Sequence, residues 1–312
     1  MKSERPFVTI AISTFNRANS FLETAVRSAL AQDYPYLEII VSDNCSTDAT
    51  SELIASLRDD RIVYTRHPKN IGANNNFNFC LERARGDYFL LLHDDDVIDS
   101  DFVKACMQAV DEGSVPGLIR TGTRVIDADG ELKSERSNRA EGFTVTDFIF
   151  SWFEEKTSLY LCSTLFHTKT LRDVGGFHSP KNLYQDVAAE LRVVARLGWV
   201  DVPEIKASFR RHDENMGGAR LVEWCDDSLY LVELMCQLSP QDATEIRRIG
   251  MFFFCKQNYD RAARIESRMR RMAAQLAVYR KFEYVYSPLG LRLDDWRKRS
   301  GRANPVPARR TR

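Results

Sequence analysis

At 312 residues and 44% hydrophobic content, with only 15 Gly and 10 Pro, the chain can bury a large core and is neither disordered nor fibrous. Its formal net charge is zero but unevenly spread: from Arg247 onward 18 Lys/Arg stand against 5 Asp/Glu, leaving residues 1–246 at −13. That excludes a uniformly basic binder of phosphate backbones, and no apolar run approaches the ~20 residues of a membrane span.

Met1-Lys2-Ser3-Glu4-Arg5-Pro6 leads directly into a strand and does not read as a signal peptide. Phe7 to Ser13 is an apolar, β-branched run suited to a buried parallel strand, ended by Thr14-Phe15-Asn16-Arg17. Ser20 reads as the cap of a helix to about Ala31, with Phe21, Leu22, Ala25, Val26, Ala29 and Leu30 on its apolar face. Leu37 to Ser42 is a second strand, Asp43-Asn44-Cys45-Ser46-Thr47-Asp48 a polar turn with Asp48 as cap, and about Ala49 to Leu57 a helix. Arg61 to Arg66 follows as a third strand, Asn70-Ile71-Gly72 as a turn, and Asn75 to Arg85 as a helix closed by Gly86. The fourth strand, from Asp87, runs through Leu92 into His93, Asp94, Asp95 and Asp96. This alternation predicts right-handed crossovers and a parallel sheet with helices on both faces.

Three consecutive carboxylates repel one another unless positive charge sits among them. Hard oxygen ligands at a strand's carboxyl end suit Mg²⁺ or Mn²⁺, at the sheet edge where open α/β folds bind ligands. A solvated acidic turn before a helix starting near Asp101 is the other reading. The turns after Ser13, Ser42 and Leu92 share that edge and can act on one ligand. Asp43 can accept the imide N–H of a pyrimidine, and Arg17 or Arg66 can approach a diphosphate. Asp43 suits an Asx turn equally well, and the cluster Asn74, Asn75, Asn76 and Asn78 suits either nucleotide contacts or capping.

Leu118 to Ile126 reads as a strand, Asp127-Ala128-Asp129-Gly130 as a hairpin turn, Ser134 to Gly142 as a polar loop able to close over a ligand, and Leu159 to His167 as a strand. Tyr184-Gln185-Asp186 opens a helix, with Glu190 one turn after Asp186 on the same face. Val200 to Phe209 is a strand leading to Arg210-Arg211-His212-Asp213-Glu214-Asn215. Glu223 to Leu238 and Asp242 to Tyr259 read as helices separated by Ser239-Pro240. Ile265, Met269, Met272, Leu276 and Tyr279 form one apolar stripe on a helix carrying Arg261, Arg264, Arg268, Arg270, Arg271, Arg280 and Lys281. Such a helix packs on the preceding domain or a second subunit, or lies on an anionic membrane. Arg297 to Arg312 reads as a disordered basic tail. The seven cysteines, odd in number and without a CxxC pair, suit a reducing compartment, so the expected location is cytoplasmic, with the inner membrane face as a peripheral seat.

In order and spacing, VTIAISTFNR, LEIIVSDNCSTD, NIGANNNFN and GDYFLLLHDDDVI resemble the family 2 glycosyltransferases with a GT-A fold, over about residues 6–215. The resemblance implies an α/β fold, a Rossmann-like mixed sheet with helices on both faces, here with a C-terminal helical extension. The expected organisation is a catalytic domain over 1–219, divided at 112/113 into a nucleotide-sugar half and an acceptor half, a helical extension over 220–296 and the tail over 297–312. It further implies a divalent cation, Mn²⁺ or Mg²⁺, and inverting transfer from a nucleotide-sugar to a hydroxyl of a glycan or lipid-linked glycan in cell-surface polysaccharide biosynthesis.

Asp43 then occupies the base-reading turn, which favours a UDP-sugar, although a dTDP-sugar offers the same N3–H. The family's Leu-Asp-x-Asp-Asp appears as Leu92-His93-Asp94-Asp95-Asp96, with His93 in place of the first carboxylate. Asp95 is expected to bind the metal directly, Asp94 to lie near the ribose and Asp96 to support. Thr14, Asn16, Arg17, Arg66, Asn70 and Asn78 are the remaining expected nucleotide-sugar contacts. Gly175-Gly176-Phe177 resembles the turn before the catalytic helix, where Asp186 is the expected general base, Gln185 replaces the usual Glu, and Glu190 is the next candidate. His212 resembles the family's late histidine at the metal or diphosphate, with Arg210 or Arg211 near phosphate charge.

A reading from another class is a non-enzymatic membrane or nucleic-acid binder acting through the basic C-terminal helices. The −13 remainder and the absence of a binding module argue against nucleic acid, which is not an expected partner. A metal-dependent nucleotidyltransferase needs a Gly-rich loop with a lysine after the first strand, and Ser13-Thr14-Phe15-Asn16-Arg17 has neither.

Overall fold

The computed structural model describes residues 5–110, 113–212 and 220–284. Four parallel strands, β1 (Val8–Thr14), β2 (Leu37–Asp43), β3 (Ile62–Arg66) and β4 (Tyr88–His93), lie in the order β3-β2-β1-β4. Helices α1 (Leu22–Leu30), α2 (Thr50–Ser56) and α3 (Ala73–Arg83) make the crossovers. Thr14 pairs with Asp43 and Ser13 with His93, so the three polar turns share one edge, as expected.

Beyond β4 the sheet becomes mixed. After the two-residue β5 (Val97–Ile98) and α4 (Phe102–Gln108) come β6 (Leu118–Ile126), β7 (Leu132–Arg136), α5 (Val145–Phe153), β8 (Thr164–His167), α6 (Thr168–Asp173), α7 (Gln185–Leu197) and β9 (Trp199–Arg210). β8 runs antiparallel to both β4 and β6, β9 parallel to β6, and β5 antiparallel to β9. β7 folds back on β6 as a hairpin.

Successive strand residues serve opposite faces. Ile10 and Ile12 join α1, α2 and α4 in one core, whereas Ala11, Phe89 and Leu91 join α3, α5 and α7 in the other. The second core also takes in α8 (Leu221–Leu238), α9 (Ala243–Ala263) and α10 (Arg268–Lys281), so the helices after residue 220 are built into it. The aromatic contacts of Phe153 with Phe253 and Phe254, at 5.1 and 6.4 Å between ring centroids, join α5 to α9.

Several local expectations change. Ser20 does not cap α1; its hydroxyl donates to the Arg17 carbonyl, and Phe21 occupies the capping position. Gly86 does not close α3, which ends at Arg83 with Ala84 in the capping position; it lets strand backbones approach, since a Cβ there would lie 2.5 Å from the Thr9 nitrogen. Ser134 to Arg136 belong to β7, and the strand foreseen over 159–167 narrows to β8 after a 3-10 turn at Leu161–Ser163. Arg261 and Arg264 sit on α9 and at its end, and Ile265 precedes α10. The stripe divides accordingly: Val278, Tyr279 and Phe282 are buried, but Met269, Met272 and Leu276 are exposed. Asp213-Glu214-Asn215 after the last strand and the tail at 297–312 lie outside the described residues. No helix among those described is long and apolar enough to cross a membrane.

Candidate active site

β4 ends at His93, and the acidic turn is held from across the sheet by the end of β9. Arg210 donates its backbone N–H to Asp96 Oδ1 at 2.8 Å, its Nε–H to the Asp95 carbonyl at 2.8 Å, and a terminal N–H to the Asp127 carbonyl at 3.0 Å. Arg210 therefore holds the turn, where the sequence suggested a phosphate contact. Two residues later His212 Nε2 lies 2.9 Å from Asp95 Oδ2.

His93, Asp95 and Asp96 offer ligand atoms all within 4.8 Å of one another. Burial raises the Asp94 carboxyl above its ordinary range; Asp95 adds to the rise, while Thr14, Arg17 and His93 oppose it. Burial likewise pushes Asp96 up to about 7, against the neighbouring His93. Crowded, desolvated carboxylates are what a bound cation relieves. The His93 Nε2 atom is buried without a hydrogen-bond partner, as is the Thr14 hydroxyl, which lies beside Asp94 without forming a bond of ordinary geometry. An orphaned imidazole nitrogen among carboxylates fits a divalent cation.

A cavity of about 300 Å³ opens on this turn, lined by Ser13, Thr14, Phe15, Arg17, Asn44, Asn76, Phe77, His93, Asp94 and Asp95 among others. Thr14, Arg17, Asp94 and Asp95 were expected there. The remaining expected contacts frame the edge. Asn16, at φ 56°, a left-handed conformation that Asn tolerates, accepts the Thr47 N–H at 2.8 Å and ties the first turn to the second. Asp43 is fully buried, its oxygens accepting the Ser46 N–H and the Tyr64 hydroxyl, both at 2.7 Å. Arg66 donates to the Ser46 carbonyl, and Asn70 accepts from Asn44 and Gly72. Asn78 clasps the Gly-Gly-Phe turn, exchanging hydrogen bonds with Phe177 N–H and C=O, both at 2.9 Å.

Asp186 lies in the first turn of α7, partly exposed. Burial raises its carboxyl above the usual range, and His93 opposes that shift from the metal turn. It lines a second cavity of about 490 Å³, walled by α5, α7, α8 and α9. Glu190 is instead sealed in the core, with both oxygens lacking hydrogen bonds. Its nearest cation, Arg120, stands 4.0 Å away and already donates to Asp201 at 2.6 and 3.0 Å. Burial therefore wins and pushes Glu190 up to about 8.

Sequence reasoning missed two contributors. His93 was read as a lost carboxylate, although imidazole is itself a metal ligand. Asp227 of α8 is fully buried and accepts from the Ser179 hydroxyl at 2.7 Å and the N–H groups of Lys181 and Leu183 at 2.8 and 2.9 Å, the segment that delivers Asp186. A mid-helix Asp carries no signal for such a role.

Residues 9–172, just over half of the chain, match the family model for glycosyl transferase family 2. A Campylobacter jejuni GalNAc(5)-diNAcBac-PP-undecaprenol beta-1,3-glucosyltransferase is 36% identical over 137 residues, 43% of each chain. An Escherichia coli UDP-Glc:alpha-D-GlcNAc-diphosphoundecaprenol beta-1,3-glucosyltransferase, WfaP, is 37% identical over 89 residues, 28% of this chain and 35% of its own. The matched parts thus span less than half of either relative. Among solved structures, S. aureus TarS 1-349 superposes with TM-score 0.58 at 14% identity, over 95% of this chain and 92% of that one. The mannosyltransferase PcManGT from Pyrobaculum calidifontis, solved with GDP-Man and Mn²⁺, gives TM-score 0.55 at 17% identity over 90% and 83%. The fold likeness, the family match and the acidic turn at the sheet edge agree: this chain belongs to glycosyl transferase family 2 and has its GT-A fold.

Proposed function

We propose that this chain is an inverting, divalent-cation-dependent glycosyltransferase that moves a sugar from a nucleotide-sugar, with UDP as the favoured carrier, to a hydroxyl of a lipid-linked glycan in cell-surface polysaccharide biosynthesis. The observation that carries the reading is the position of Asp186, within the electrostatic reach of His93 and at the wall of the second cavity. Asp95, Asp96 and His93 would hold the cation, with His212 orienting Asp95. When bound, the cation supplies positive charge to the departing diphosphate.

The chain's own groups do the rest. Thr14 and Asp94 receive the ribose, and Arg17, beside Asp94, faces the diphosphate. Asp43, buried beneath that edge, braces the base-reading turn through the Ser46 N–H and the Tyr64 hydroxyl, while Asn16, Arg66, Asn70 and Asn78 hold the turns of that edge. UDP is favoured by the carrier named for the Escherichia relative. Asp186 takes the proton of the acceptor hydroxyl as its oxygen attacks the anomeric carbon from the face opposite the leaving group. A single displacement inverts that carbon.

The lipid-linked acceptor is supported by the names of the Campylobacter and Escherichia relatives. A peripheral seat on the cytoplasmic membrane face is supported by exposed Met269, Met272 and Leu276 beside Arg268, Arg270 and Arg271 on α10. The testing experiment incubates the protein with UDP-sugars and Mn²⁺ and follows UDP release and product anomer by NMR. Inverted product, or acceptor-independent UDP release lost on chelation, supports the reading; cation-independent release or a retained anomer contradicts it.

A further inference from the structure

The 490 Å³ cavity beside Asp186 is distinct from the one at the metal turn: the two share no lining residue. Its size falls in the range of small-ligand sites, about 300–1,000 Å³. Seven of its eighteen lining residues come from the helices after residue 220, with Trp224 from α8 and Lys256, Gln257 and Arg261 from α9 joining Trp152 and Tyr160. The half-buried rings are firmly held. Trp152 packs edge-on to Phe253 at 5.2 Å, Tyr160 stacks on Phe209 at 4.8 Å, and the Arg261 guanidinium lies 4.1 Å from the Trp224 ring centroid.

The charges balance. Arg136, Lys256 and Arg261 are matched by Glu155, Asp186 and Asp260, and Thr157, Ser158 and Gln257 add neutral hydrogen-bonding groups. A site for a diphosphate or a uronic acid would carry excess positive charge. Rigid aromatic rings with balanced donors and acceptors suit a neutral pyranose, whose C–H face is apolar and whose rim is polar.

We infer that this cavity is the acceptor subsite, that it binds an uncharged terminal sugar of the acceptor, and that the C-terminal helices exist in part to build it. The inference rests on the proposed transferase activity, because it assigns Asp186 to the hydroxyl presented there. It also gives α8 and α9 a role in acceptor choice, where the donor edge depends on the first four strands.

The test uses the full chain with UDP and diamagnetic Mg²⁺ present, and saturation-transfer NMR with methyl glucoside, methyl N-acetylglucosaminide, methyl glucuronide and methyl phosphate. Expected are saturable binding of at least one neutral glycoside, weaker binding of glucuronide and methyl phosphate, and an at least tenfold loss for the neutral glycoside in Trp224→Leu with UDP affinity within twofold of wild type. Asp260→Lys, at an exposed position, should shift the preference toward glucuronide, and it serves equally if Trp224→Leu does not fold. Absence of binding by any neutral glycoside, tighter binding of the anions by wild type, or no change of preference in Asp260→Lys would overturn the inference. UDP with Mn²⁺ binding in all of those cases would leave the transferase reading standing, and its loss in wild type would sink that reading instead.

Discussion

Asp227, in the middle of α8, accepts the backbone N–H of Leu183 at 2.9 Å, three residues before Asp186. With the Ser179 hydroxyl and the Lys181 N–H on the same buried carboxylate, the helical extension fixes the start of α7. A buried charge is tolerated here because donors surround it. Tyr184 strengthens the link, its hydroxyl bonding Gln257 of α9 at 2.9 Å.

Asp227→Ala should therefore act at a distance. Leaving several buried N–H groups unsatisfied costs roughly 1–3 kcal/mol each where water cannot replace the carboxylate. The expected result is a lower melting temperature together with a fall in kcat larger than any change in donor KM. A variant destabilised but with unchanged kcat would give Asp227 a purely structural role.

Asp186→Asn should remove transfer while leaving UDP binding close to wild type, since general-base catalysis contributes on the order of 10²–10⁴ in rate. Because burial raises the Asp186 carboxyl, the acid limb of kcat/KM should sit above the ordinary carboxylate range, with activity lost as pH falls through it. A flat acid limb, or wild-type turnover in Asp186→Asn, removes the residue from that role.

Glu190 should make the fold more stable at acid pH than at alkaline pH. Its folded value, about 8, lies above the ordinary 4.5 of a free glutamate, so the native state binds the extra proton between these two pH values. Stability from this group is full below the lower value and lost as pH rises through the upper one. Glu190→Gln removes that dependence, and its melting temperature relative to wild type should climb by a few degrees between pH 5 and 9. A difference independent of pH would mean that Glu190 is ionised beside Arg120.

The metal turn offers a substitution in the opposite direction. Imidazole favours the later divalent metals over Mg²⁺, so His93→Asp should retain cation binding and shift it toward Mg²⁺ relative to Mn²⁺. Calorimetric titration of both ions measures this. Asp95→Ala should weaken Mn²⁺ and UDP binding together; unchanged Mn²⁺ affinity in Asp95→Ala would move the site elsewhere.

The first four strands were legible because each is a continuous apolar run closed by polar turn residues, and the parallel order follows from the helices between them. The hairpin after Ile126 was legible from Asp127-Ala128-Asp129-Gly130. What sequence alone could not show is which partner captures a polar side chain. Asn78 looked like a nucleotide contact and instead holds Phe177, and Arg210 looked free for phosphate and instead holds the acidic turn. Both partners are about 100 residues away or more, so no local pattern encodes them. The stripe on α10 read as continuous because periodicity reports one helix face, not how much of that face meets a neighbour.

The most direct test of the central claim is the melting temperature of the full chain against UDP, dTDP, GDP, ADP and CDP, each with and without Mn²⁺. A ligand at 100 times its Kd that binds only the folded state adds about 2.7 kcal/mol. The account predicts an upward shift with UDP that requires Mn²⁺ and disappears in Asp95→Ala. No shift with any nucleotide, or one equally large without the cation, would contradict it.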